Sequence, residues 1–263
     1  MVMLPPHWYP PSRPQSIGEV LDTGFKIFQT TLLPCLPYGV TWVVVGQLAT
    51  LHDLAAGRPL RAFGGSDPIG WLWFALSIVL ALAIWSLLIL RQSALASGRT
   101  SSLAGELRIT LERLPQLVAL LLVAAAACAV GLLLLVLPGL YLAVAFTLAV
   151  PALLARRLGP IAALRYAARL LYGHFWRTTL ILSIALVVTL ALYTVVATIT
   201  LLACTLGGVT DVAVVTAVSR AAGIALGAVA APFGCAIILA IFGELGARRE
   251  GPELERRMAA AES

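Results

Sequence analysis

Residues 114 to 155 form a run of 42 positions without a single Asp, Glu, Lys or Arg. An ionised side chain at the bilayer centre costs about 2.5–3.5 kcal/mol, and roughly 20 helical residues cross the hydrocarbon. Such a run therefore reads as membrane-spanning, and it is long enough for two passes. Pro138-Gly139 near its middle supplies a helix stop and a permissive turn residue, which predicts a tight hairpin there. The uncharged runs 27–51, 68–90 and 221–243 each suit one further helix, and 178–210 suits one helix plus an outer loop. The expectation is six transmembrane helices near 32–53, 69–91, 115–137, 140–156, 178–204 and 220–243.

Composition points the same way. Hydrophobic residues make up 60% of the 263 and charged residues 11%, against about 25% charged in a typical soluble domain. One core of this size cannot bury that apolar excess, so a water-soluble fold is excluded. The fold class is all-α, a polytopic membrane protein. A single membrane domain over 16–243 is expected between a Pro-rich arm, 1–15, and a charged tail, 244–263.

The net charge of +6 comes from 17 Arg and one Lys, Lys26, against 12 Asp and Glu. These cations sit in short polar stretches between apolar runs, a pattern of topology signals rather than of a nucleic-acid-binding face. In the six-helix arrangement fifteen fall on one side and only Arg58, Arg61 and Arg220 on the other. The positive-inside rule then makes both termini cytoplasmic.

Each hairpin has an amphipathic lead-in, predicting three cytoplasmic interfacial helices. In the first, Ile17, Val20, Leu21, Gly24, Ile27 and Phe28 share one face, opposite Glu19, Asp22, Lys26 and Gln29, behind a Ser16–Glu19 capping box. The second groups Leu103, Leu107, Leu111 and Leu114 opposite Arg108 and Glu112, with Ile109 outside the pattern. The third opens at Gly159-Pro160 and groups Ile161, Leu164, Ala168, Leu171 and Phe175, flanked by Arg165 and Arg169. Lead-in plus hairpin thus recurs over 16–91, 102–156 and 160–243, the outline of a threefold internal repeat.

Sites are sparse. Cys35, Cys128, Cys204 and Cys235 stand singly in apolar runs, so neither disulfides nor a zinc site is expected. No catalytic, cofactor or metal constellation is evident. His52-Asp53 comes nearest, but neighbours on a helix point about 100° apart and no third ligand is apparent. His174 beside Phe175 and Trp176 fits an aromatic interface belt. Pro34, Pro37, Pro151 and Pro232 read as kinks, and Gly223-x-x-x-Gly227 as a close helix contact. The expected lipid-headgroup site is the arginine group Arg156, Arg157, Arg165, Arg169 and Arg177. Guanidinium groups at headgroup depth can grip lipid phosphates bidentately.

Three stretches carry a family resemblance: Gly18-Glu-Val-Leu-Asp22 leading to Phe25 and Phe28, Pro138-Gly-Leu-Tyr141, and Gly159-Pro-Ile-Ala-Ala-Leu-Arg165 running on to Gly173-His-Phe-Trp-Arg-Thr178. Over 16–243 the chain resembles the membrane domain of bacterial glycerophosphodiester phosphodiesterases, and small six-helix bacterial inner-membrane proteins with no attached enzyme. In the phosphodiesterases this domain accompanies a soluble metal-dependent barrel, which no segment of this sequence could form, so hydrolase activity does not carry over. The chain departs from the pattern at Arg156-Arg157, where members often carry an acidic residue, and at Ala167, where they often carry serine. The resemblance implies a bacterial cytoplasmic membrane. The functional expectation is a non-enzymatic integral membrane protein engaging anionic lipids, a protein partner or its own copy at the cytoplasmic face. A transporter or permease subunit is the alternative and a lipid-modifying enzyme a third reading. The absence of ionisable residues from the predicted spans counts against transport.

Overall fold

The computed structural model describes residues 9–11, 13–58, 67–99, 102–134, 136–209 and 211–261, with 134, 136, 212, 213 and 250–261 described by backbone alone. Most of the Pro-rich arm, Arg61 and Ser263 lie outside the described residues. Among those residues all regular structure is helical: α1 (Ile17–Gly46), α2 (Leu48–Ala55), α3 (Pro68–Ala96), α4 (Leu103–Leu134), α5 (Val136–Arg156), α6 (Pro160–Leu171), α7 (Phe175–Leu206) and α8 (Val212–Ala261). All but α2 and α6 are long and apolar enough to cross a membrane, and the protein is a six-span membrane protein on that basis.

Local chemistry sets the helix starts. The Ser16 hydroxyl caps the Glu19 N–H at 3.3 Å while the Glu19 carboxylate accepts from the Ser16 N–H at 2.6 Å, the reciprocal box read from the sequence. Asp67 caps α3 by accepting from the Gly70 N–H at 2.7 Å, with Pro68 in the first turn. Gly159-Pro160 opens α6, and Gly173, at φ +83°, turns the chain into α7.

The first helix lies against the last. Gly24 meets Ile237, and Gly39 sits over the Ala228 carbonyl so closely that a Cβ there would lie 2.0 Å from its oxygen. Pro232 has no N–H to offer that carbonyl, so the close Cα–H approach of Gly39 replaces a lost helix bond. α3 flanks α1, α4 and α5 follow, α6 packs on α5, and α7 leans on α8. The core centres on α8, where Cys235, Ile237, Leu239 and Ile241 are buried among Ile27, Leu88 and Leu148. α7 is mostly exposed, as a lipid-facing helix must be. Thr189, Thr194, Thr198 and Thr200 each turn the hydroxyl back to the carbonyl four residues earlier, which leaves that helix apolar outside.

Several boundaries differ from expectation. α4 ends at Leu134 and α5 begins at Val136, so Pro138 and Gly139 occupy the first turn of α5 instead of the hairpin bend. Proline is tolerated there because the first N–H groups of a helix lack partners. Gly139 serves a helix crossing: a Cβ on it would meet the Leu132 N at 2.8 Å. The first two lead-ins are helical but form the first parts of α1 and α4, which continue through Pro34 and Pro37 in the one and Pro115 in the other; only the third is a separate helix. The Gly223/Gly227 pair also divides. Gly227 lies against Val43 and Tyr193, whereas Gly223 faces open space.

Candidate arginine-lined lipid site

Tyr9 donates to the Leu239 carbonyl at 3.2 Å and Arg248 to the Gln15 carbonyl at 2.9 Å, so the described part of the arm meets α8 at one end of the bundle, the terminal face. Burial pushes the Tyr9 hydroxyl pKa far above its ordinary value, against a smaller opposing pull from Arg99. The five sequence-predicted arginines all lie toward this face, but the fold divides them into three groups.

Arg177 is tied into the bundle. Its guanidinium pairs with Glu244 at 3.3 Å and donates to the Gln15 carbonyl, while Arg248 pairs with the same carboxylate. Glu244 is 2% exposed, so this network joins the arm, α7 and α8. Arg177, partly exposed, is therefore paired within the protein, because the carboxylate that neutralises it comes from the start of the supposed tail.

Arg165 and Arg169, spaced i, i+4 on α6, stand exposed beside a groove of about 450 Å³. Arg249 of α8 completes it, anchored by its bond to the Tyr172 carbonyl at 3.3 Å. Ala168 forms the floor, and the Tyr141 hydroxyl donates to its carbonyl at 2.8 Å, fixing α5 to α6. Neither Arg165 nor Arg169 has an ion pair among the described residues. Tyr172 and Trp176, 76% and 70% exposed, stand close by in sequence with half-exposed Ile161, an amphipathic surface suited to the headgroup region.

Arg156 and Arg157 instead border a larger cavity of about 900 Å³ between α3, α4, α5 and α8. Its wall includes Glu106, 4% exposed, which pairs with Arg91 at 3.3 Å and accepts from the Tyr38 hydroxyl at 3.1 Å. Beside this node Gln92 donates to Thr31 at 3.2 Å and to the Pro232 carbonyl at 2.9 Å, while its own side-chain oxygen has no partner among the described residues. The uncharged runs at the centre of the spans contain no Asp, Glu, Lys or Arg. The helices extend past the uncharged runs, and Arg91, Glu106 and Glu244 lie on those extensions facing protein. One sequence signal was present for Glu106: with Thr110, Arg113 and Leu117 it recurs at i, i+4, i+7 and i+11 beside the leucine stripe. In α4 the polar row turns inward while Leu103, Leu107 and Leu111 face outward, the arrangement lipid favours.

At the opposite end, α2 carries His52 and Asp53, and the structure supplies the missing third group. Asp67 lies 3.4 Å from the His52 ring, with donor atoms of all three residues within 4.8 Å. Arg58 is 2.6 Å from Asp67 and 3.5 Å from His52, so a guanidinium already fills the position a cation would need. His174 precedes α7 as its cap, half-buried. No protein-family model, curated protein or solved structure matches the chain.

Proposed function

We propose that the protein is a non-enzymatic integral membrane protein of a bacterial cytoplasmic membrane, with both termini cytoplasmic, that holds anionic lipid headgroups in the groove of Arg165, Arg169 and Arg249. The single observation behind this reading is the convergence of three guanidinium groups from two helices on one groove, with exposed Tyr172 and Trp176 close by in sequence. The resemblance to the stand-alone membrane domain of the glycerophosphodiester phosphodiesterase family is consistent with such a role. In nanodiscs of zwitterionic lipid, adding phosphatidylglycerol should raise the melting temperature of the parent protein by several degrees. In Arg165→Gln/Arg169→Gln/Arg249→Gln the rise should vanish, through loss of ligand linkage. An equal rise in both proteins would overturn the proposal.

A permease is the second reading. It is favoured by the buried Arg91–Glu106–Tyr38 node beside the large cavity, since ionisable groups inside a bundle commonly mark a solute path.

A further inference from the structure

The larger cavity is chemically distinct from the arginine groove. Its inner wall is apolar, formed by Ile89 and Leu90 of α3, Leu154 of α5, and Leu239 and Phe242 of α8. Its rim carries Arg99, Arg113, Arg156 and Arg157. Among the described residues the two carboxylates on its lining are already paired, Glu106 with Arg91 and Glu112 with Arg108 at 2.8 Å, so neither is paired with Arg99, Arg113 or Arg157. From Ile89 to Ser97 the lining climbs about 12 Å of α3, at the helical rise of about 1.5 Å per residue. A volume of about 900 Å³ is in the upper part of the range for sites enclosing one small ligand.

The backbone supplies a second, independent observation. Arg157 is the one non-glycine residue with positive φ among the described residues, at +52°, in the turn between α5 and α6. Glycine would take that conformation without the Cβ penalty, so an arginine there costs stability, of order 1 kcal/mol. Its guanidinium borders the cavity.

We infer that this cavity binds a single-chain amphiphile with an anionic head, the head against the arginine rim around Arg157 and the chain along the apolar wall. Tyr9 and Pro11 of the arm close one side of the site, where Tyr9 packs on Gly243.

The test uses the full chain in nanodiscs of zwitterionic lipid and three ligands: palmitoyl lysophosphatidate, the neutral monopalmitoyl glycerol, and inorganic phosphate. Binding is compared in the Arg165→Gln/Arg169→Gln/Arg249→Gln background, which disables the groove; there lysophosphatidate should bind one per chain, at least tenfold more tightly than monopalmitoyl glycerol, and inorganic phosphate should not compete. Arg157→Gly should weaken lysophosphatidate binding at least tenfold while its melting temperature equals or exceeds the parent's. Arg156→Gln should weaken binding as a second rim variant. Because the groove is disabled in every protein compared, failure of the groove proposal and failure of this one are separable. Equal affinity for the neutral ligand, competition by phosphate alone, or unchanged binding in Arg157→Gly would overturn the inference.

Discussion

At Glu244 two guanidinium groups share one buried carboxylate, and both also donate to the Gln15 carbonyl. Removing the charge leaves two cations facing one acceptor. Glu244→Gln should therefore destabilise the protein by roughly 3 kcal/mol, the lower end for a broken buried pair because the arginines are partly exposed. Thermal unfolding in detergent would report it as a melting temperature several degrees lower. This network was not legible in the sequence, where Arg177 read as a lipid contact and Glu244 as the first residue of a tail. A pairing across 67 positions leaves no periodic trace. Asp67 titrates at the other end of the molecule. The Gly70 N–H, and after it Arg58, hold its carboxyl pKa below the ordinary value. Its contribution is thus complete above the unfolded value of about 4 and is lost as pH falls through the lower folded value. Asp67→Asn keeps a capping acceptor but loses the charge. Melting temperature measured against pH should fall less steeply below about pH 4 in that variant than in the parent.

Among the elements, the α1–α8 contact is the most exacting. Alanine normally stabilises a helix interior over glycine by roughly 1 kcal/mol. At Gly39 the sign should reverse, because the added Cβ would strike the Ala228 carbonyl; overpacking of this kind costs about 1–3 kcal/mol. Gly223, which faces open space on α8, should follow the ordinary rule. Opposite shifts in melting temperature for Gly39→Ala and Gly223→Ala would confirm the packing, and shifts of the same sign would refute it. Periodicity identified every lead-in as helical but could not say whether each stood apart. α6 does so because Gly159-Pro160 and Gly173 bracket it. The glycine at the α4–α5 crossing misled for a related reason. A glycine beside a proline reads as a bend, yet Gly139 is required for close approach to Leu132 and Gly131.

For the whole molecule, the six spans were legible because hydrocarbon thickness imposes length and the exclusion of charge on every crossing segment, a rule each segment obeys by itself. The arginine sites were legible only in part. The five arginines grouped by the sequence part into three settings, and Arg249, which completes the groove, lies 80 positions from Arg169 and joins it only through the packing of α6 near α8. Retention of anionic lipid by this groove carries the proposed function. The most direct test is native mass spectrometry of the protein extracted gently in its own lipids, alongside Arg165→Gln/Arg169→Gln/Arg249→Gln. The parent chain should carry an anionic lipid of defined mass, and the variant should lose it. A bare parent chain, or the same lipid on both proteins, would contradict it, and a bare chain would turn attention to the permease reading.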